Sequence, residues 1–166
     1  ASRASADIGQ TGFFACTPAG GAAPYSYSWS FSDGSSAIGP ATDHSFRAPG
    51  SQNAVCAVTD ASKSKTTRTF SLTVFPMLTV ALSASTTAVR EGQPVSLHAN
   101  LNGGSGGTVY TWSGLPPGCG AANASAITCT PTTAGTFVVT VYVVDSNGQS
   151  GSSSIVISVE SSANEG

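Results

Sequence analysis

The residue types that do chemistry are few in this chain and poorly spaced for it. Histidine occurs twice, as His44 and His98. The run Asp43-His44-Ser45 holds the three residue types of a nucleophilic triad. Consecutive residues cannot turn toward one another as orienter, base and nucleophile, and in so serine-rich a chain the coincidence is expected. His98 stands between Leu97 and Ala99, so on a strand it turns to solvent. Asp33, Asp43, Asp60 and Asp145 are the candidate acidic ligands. Calcium takes about six to eight converging oxygens, and no loop of regularly spaced aspartates supplies them. No glycine-rich loop follows a strand and opens a helix, which removes support for nucleotide binding. The reading is no catalytic residue, no metal site and no cofactor.

The cysteines have another use. Cys16, Cys56, Cys119 and Cys129 contain no closely spaced pair of zinc ligands. Cys16 and Cys56 both fall on the inward parity of strands, with Trp29 between them in sequence. That order is the one of an inter-sheet disulfide packed on a core tryptophan. Cys119 and Cys129 are close enough to staple a hairpin or loop locally. Two disulfides imply an oxidising compartment, extracellular or at the cell surface. Asn123-Ala124-Ser125 is an N-glycosylation sequon inside the loop that Cys119 and Cys129 would close, so Asn123 is read as exposed and glycosylated.

Composition narrows the partners. With six Lys and Arg and a formal net charge of −2, the chain lacks the basic stripe that nucleic acid requires. Its longest apolar runs, such as residues 137–144, are too short to span a bilayer. A chain that opens at Ala1 without a charged-then-apolar leader reads as a processed protein or as a segment of a longer one. Serine and threonine exceed a quarter of all residues and accompany 19 glycines, a composition of turns and pleated strands with hydroxyl-rich faces.

The elements that position these residues are strands. Tyr25, Tyr27, Trp29 and Phe31 alternate with Ser26, Ser28 and Ser30, and Phe137, Val139, Val141 and Val143 repeat the period of two. No window has helical spacing. Shifting the sequence by 83 places Gly9-Gln10 on Gly92-Gln93 and Tyr27-Ser28-Trp29-Ser30 on Tyr110-Thr111-Trp112-Ser113. At a shift of 85 the match resumes, with Asp60 on Asp145 and Phe70, Leu72 and Val74 on Ile155, Ile157 and Val159. Such self-similarity marks duplicated structural units. The reading is all-β: two tandem immunoglobulin-like sandwiches, residues 1–75 and 76–166, joined near Pro76.

The run from Pro24 to Gly34, followed by Phe46, Ala48-Pro49-Gly50 and Val58-Thr59-Asp60, resembles a polycystic-kidney-disease (PKD) repeat of the Ig-like superfold. The segment from Tyr110 to Cys119, with Val143-Val144-Asp145, is similar to related modules of archaeal and bacterial cell-surface proteins. The resemblance implies the fold together with spacer, adhesive or carbohydrate-associated roles. The repeat also exposes an asymmetry. Leu78 to Ser83 form an alternating strand ahead of Gly92, whereas residues 1–7 hold no equivalent ahead of Gly9. The first unit is therefore read as a sandwich lacking its first strand, with an open edge beside residues 11–17. Phe13, on the face opposite Phe14 and aligned with Ser96, is an interface candidate. These features lead to an expected role as a glycosylated subunit of an extracellular filament, pilus-like fibre or surface layer. The strand that fills the edge comes from residues lost by processing or cutting, from a neighbouring part of a longer array, or from another subunit; the leading expectation is that copies of the chain assemble head to tail by strand complementation, with the chain's own first residues among the possible donors. The alternative is a spacer or carbohydrate-binding module of a larger secreted adhesin or enzyme.

Overall fold

The computed structural model describes residues 4–162, and the chain divides into two units, Ala1–Met77 and Leu78–Gly166. Among the described residues every regular element is a strand.

In unit 1 the strands are β1 (Ser5–Asp7), β2 (Thr11–Ala15), β3 (Ser26–Phe31), β4 (Ser36–Ile38), β5 (Ala41–Ser45), β6 (Gly50–Thr59) and β7 (Lys65–Phe75). They form a five-stranded sheet in the order β1-β7-β6-β3-β4 and a two-stranded sheet β2-β5. Alternation decides what each sheet buries. On β3 the serines face solvent while Trp29 and Phe31 are buried, and on β6 Ala54, Cys56 and Val58 are buried at every second position. Phe14 of β2 reaches into this layer, with its ring centroid 6.2, 5.9 and 6.2 Å from those of Trp29, Phe31 and Phe70. The Trp29 indole keeps a partner in the core by donating to the carbonyl of Gly39 at 2.9 Å. The Cys16–Cys56 disulfide ties the end of β2 to β6, across the two sheets.

Unit 2 repeats the plan with β8 (Thr79–Ala84), β9 (Ala88–Arg90), β10 (Val95–Asn102), β11 (Val109–Ser113), β12 (Ala126–Cys129), β13 (Gly135–Val144) and β14 (Ser150–Glu160). Its sheets run β12-β10-β8 and β11-β13-β14-β9. Leu97, Val139, Val141, Val143 and Ile157 are fully buried at its centre. Trp112 donates to the carbonyl of Ala124 at 3.0 Å, the counterpart of the Trp29 bond. Unit 1 adds β4, whereas the corresponding stretch of unit 2 is a loop stapled by Cys119–Cys129. Gly114 stands where the repeat has Phe31. Its φ is +69°, and a Cβ there would overlap the Val138 carbonyl, so no side chain fits.

One expectation is corrected. Residues 1–7 were expected to hold no strand, but Ser5–Asp7 form β1, paired parallel to β7 with Ser5 opposite Thr73. Its counterpart β9 pairs parallel to β14 with Ala88 opposite Ser158. Three residues of mixed polarity carry no alternation long enough to register in the sequence. The strand of unit 2 that has no partner in unit 1 is therefore β8 alone.

Candidate functional site

The residues around β2 make the site. Antiparallel ladders alternate hydrogen-bonded with non-bonded pairs, so the N–H and C=O groups of alternate residues point to opposite edges. The Cys16 N–H donates to the Pro40 carbonyl, and with the β2–β5 register this turns Gly12, Phe14 and Cys16 toward β5. Phe13 and Ala15 consequently face the other edge, and the same alternation continued past β2 would bring Thr17 and Ala19 to it. No strand among the described residues pairs with that edge. In unit 2 the same edge is filled. The Ser85 N–H donates to the Ser96 carbonyl, and β8 pairs along β10 from Leu97 opposite Ala84 to Asn102 opposite Thr79. The lengths differ accordingly: β10 has 8 residues and β2 has 5, and no strand among the described residues pairs with residues 17–19.

Beside the open edge lies a cleft of about 270 Å³ between residues 16–19 and Val58, Thr66 and Arg68. Arg68 lies over the ring of Phe70, 5.0 Å from its centroid. Phe13 projects from the outer face of β2 and is 50% exposed, whereas Phe14 is 1% exposed.

The other residues singled out above serve the fold. His44 does meet an aspartate and a serine, but Asp33 and Ser35 rather than Asp43 and Ser45. His44 Nε2 is 2.8 Å from Asp33 Oδ2 and 3.5 Å from Ser35 Oγ, while Ser35 Oγ donates to Asp33 Oδ1 at 2.6 Å. A triad places its carboxylate and its nucleophile on opposite ring nitrogens; here one nitrogen faces both, and the serine proton is committed to the carboxylate. The imidazole also stacks on Phe31, with centroids 3.8 Å apart. The cluster caps the β3–β4 turn. Asp43 is exposed and lies opposite Phe13, and His98 is exposed on β10.

Hydrogen bonds from the Ser35 hydroxyl and backbone N–H, with His44 adding to them, pull the Asp33 carboxyl down to about 2. A carboxyl whose folded value lies below its unfolded value of about 3.9 stabilises the fold above that pH and loses the contribution as pH falls toward the folded value. Asp33→Asn is expected to cost on the order of 1 kcal/mol at pH 6, a figure held down because the side chain is 32% exposed. Thermal melts of the two forms should converge between about pH 4 and 2. A gap that is as large at pH 2 as at pH 6 would show that the carboxylate is not its cause.

Asp60 and Asp145 are equivalent turn residues. Asp60 accepts from the N–H groups of Ala22 at 3.2 Å and Ser64 at 2.9 Å, and these bonds lower its pKa. Asp145, 5% exposed, accepts from Ser105, Asn147 and Gln149 at 3.0, 3.1 and 2.9 Å. Their oxygens are committed to the chain's own backbone, and no cluster of three or more metal-ligating side chains occurs among the described residues. Asn123 is exposed in the stapled loop, and its Oδ1 accepts from the Tyr110 N–H at 2.8 Å.

With this geometry established, the comparisons with known proteins decide the family. The PKD domain family matches residues 5–74 and, a second time, residues 79–158. The chain is a tandem of two PKD domains. Among solved structures it is similar to a three-Ig-domain fragment of titin, at 15% identity and a TM-score of 0.62, covering 95% of this chain and 62% of the titin fragment. It is also similar to a C-terminal fragment of intimin solved with the intimin-binding domain of its translocated receptor, at 16% identity and a TM-score of 0.51, covering 82% of this chain and 53% of that one. The chain thus spans less than two thirds of either fragment, and at these identities the likeness shows the Ig-like fold alone. None of the curated proteins matches the chain. Tandem PKD and Ig-like domains are typical of extracellular adhesion and spacer modules and are generally non-catalytic, and the two disulfides accord with that setting. No helix among the described residues is long and apolar enough to cross a membrane.

Proposed function

We propose that this tandem PKD chain is a structural subunit of an extracellular filament, pilus-like fibre or surface layer, in which copies join head to tail and a strand from one completes the first PKD domain of the next. The observation that carries this reading is the unpaired β2 edge, set beside the same edge filled by β8 in the second domain. Edge strands left open are ready templates for another chain, and native folds otherwise blunt them. Here the residues turned to the edge, Phe13, Ala15, Thr17 and Ala19, include no charge and no proline. An acceptor on the first domain and a donor elsewhere make a heterologous contact, which generates open polymers. Ser5–Asp7 pair with β7 within their own domain and so lie away from the β2 edge. A glycan on Nδ2 of Asn123 would leave the Oδ1 bond to Tyr110 intact, and a sugar coat would help solvate a chain with so few charges.

A spacer or carbohydrate-binding module is the second reading. Exposed Val138, Tyr142 and Val156 on the larger sheet of the second domain favour it. Tyr142 is the one aromatic among the large exposed hydrophobics of that domain, and a platform for sugar rings is better served by several in a row.

Electron microscopy of native material is expected to show end-to-end polymers. Amide exchange should be slower at Phe13, Ala15, Thr17 and Ala19 in the native material than in the isolated chain. Native material made only of monomers, with those four amides exchanging as they do in the isolated chain, would remove the filament reading and leave the module.

A further inference from the structure

The duplication isolates a second difference between the domains, at the turn between β6 and β7. Lys63 has a φ of +67° there, and every other described residue with φ in the left-handed region is a glycine. The second domain has Gly148, at φ +90°, in the aligned place. A Cβ makes that conformation costly, so a lysine kept there points to a use for its side chain. The Lys63 ammonium makes no hydrogen bond or ion pair among the described residues. It borders a cleft of about 350 Å³ whose wall includes Tyr25, Ser26, Thr59 and Asp60. Lys65, the other lysine of the chain, lies opposite Thr59, which lies opposite Ser26, so it stands on the same face as two of the lining residues. Tyr25, Lys63 and Lys65 align with Thr108, Gly148 and Ser150, so the second domain keeps the turn aspartate without the aromatic ring or the cations.

We infer that this cleft, at the β6–β7 turn of the first domain, binds an anionic saccharide, carboxylated or sulfated. The inference is independent of the proposed assembly, since every residue it uses lies in one domain and none lies in β2. Each group has a part. The two ammoniums carry donors only, and they set the sign of the ligand. Asp60 opposes an anion little, because its oxygens already accept from the Ala22 and Ser64 N–H groups at 3.2 and 2.9 Å. A carboxylate has about four acceptor positions, so lone pairs remain for a sugar hydroxyl. That contact serves a saccharide and not a bare anion. The Tyr25 hydroxyl donates to the carbonyls of Gly20 and Gly21 at 3.1 and 3.2 Å, which fixes the ring in the wall before any ligand arrives. A ring so held supplies apolar surface for the C–H face of a sugar.

The test titrates the full chain with galacturonate oligomers and with dextran sulfate fragments. Methyl-esterified galacturonate oligomers serve as the neutral control, and polyglutamate as an anion that is not a sugar. The backbone amide signals of Thr59, Ala61 and Lys63 are expected to shift with one or both anionic sugars, while those of Asn147 and Gln149 in the aligned turn stay in place. Lys63→Gly should weaken binding at least about tenfold, the loss of one charge-assisted contact. Because glycine takes the left-handed φ freely, that variant should melt no lower than the parent chain, which separates lost binding from lost fold. Lys63→Arg keeps the charge and should keep most of the affinity. The tighter of the two anionic sugars identifies whether carboxylate or sulfate is preferred. Binding of the neutral ester or of polyglutamate as tight as that of the anionic sugars overturns the inference. Unchanged affinity in Lys63→Gly, or no binding of either anionic sugar, overturns it as well.

Discussion

Removal of the Cys16–Cys56 disulfide, by reduction or by the double substitution of both cysteines with alanine, is expected to destabilise the first PKD domain by about 4 kcal/mol. The bridge closes a separation of 40 residues, and the conformational entropy that the unfolded chain regains once that loop is no longer closed sets this magnitude. It also joins the two sheets, from the end of β2 to β6. Cys56 is fully buried and Cys16 nearly so, on the same core as Trp29, so each sulfur lost leaves packing unfilled as well. Against a total of about 5–15 kcal/mol for a typical domain, the loss is a large fraction. In a domain of this size each kilocalorie moves the midpoint by about 4–8 °C, so the first domain should melt some 15–30 °C lower, on the order of half-way to unfolding at ordinary temperature. The Cys119–Cys129 bridge closes a separation of only 10, for which the same model gives about 3 kcal/mol. It fixes a loop to β12 and does not span the sheets. Calorimetry with and without reductant should therefore show the transition assigned to the first domain falling further than that of the second. A first-domain transition that does not move under reduction would mean that the core around Trp29 holds the sheets together unaided.

What the sequence reveals here follows the length of each alternating run. β3, β7, β13 and β14 carry apolar residues at every second position over five or more residues, and they are readable without coordinates. β1, β4 and β9 have 3 residues each, and the 5 residues of β5 are Ala-Thr-Asp-His-Ser, so period alone is silent on all four. The duplication carries further than any single strand pattern. It places Asp60 on Asp145, although only the structure shows that both serve as acceptors for the N–H groups of their own turns. It also shows that no described residue of the first unit pairs with β2 where β8 pairs with β10, and that edge is the candidate site. The Asp33, Ser35 and His44 cluster was not legible, because it forms only once the β3–β4 turn brings Asp33 back against β5; the Asp-Gly pair at the turn was its one local signal. The packing behind β8 was equally hidden. Thr66 and Gly151 can be aligned by eye, but that Val80 presses on the glycine is a fact of packing between β8 and β14.

The open edge itself can be tested with a substitution that the isolated domain should barely notice. The N–H of Ala15 points away from β5, and Ala15 is exposed, so Ala15→Pro removes a donor that has no strand partner within its own domain. Proline is tolerated on an edge strand when its missing N–H faces outward, and the expected cost to the first domain is below about 1 kcal/mol. Thr42→Pro provides the contrast. Thr42 lies opposite Phe14 in a hydrogen-bonded pair of the β2–β5 ladder, so proline there deletes a bond inside the sheet and should cost about 3 kcal/mol. Assembly should separate the two variants the other way round from stability. An incoming strand needs the Ala15 N–H as a donor, and the proline ring would stand where that strand must approach, so chains with Ala15→Pro should stay monomeric under conditions in which the unsubstituted chain polymerises. Phe13→Ser, which restores the residue found at the aligned position of the second domain, should weaken assembly without abolishing it, because it removes covered apolar surface but no backbone donor. Sedimentation and electron microscopy read the outcome directly. Polymers of Ala15→Pro chains indistinguishable in number and length from those of the parent would show that strand pairing at β2 is not what joins one copy to the next.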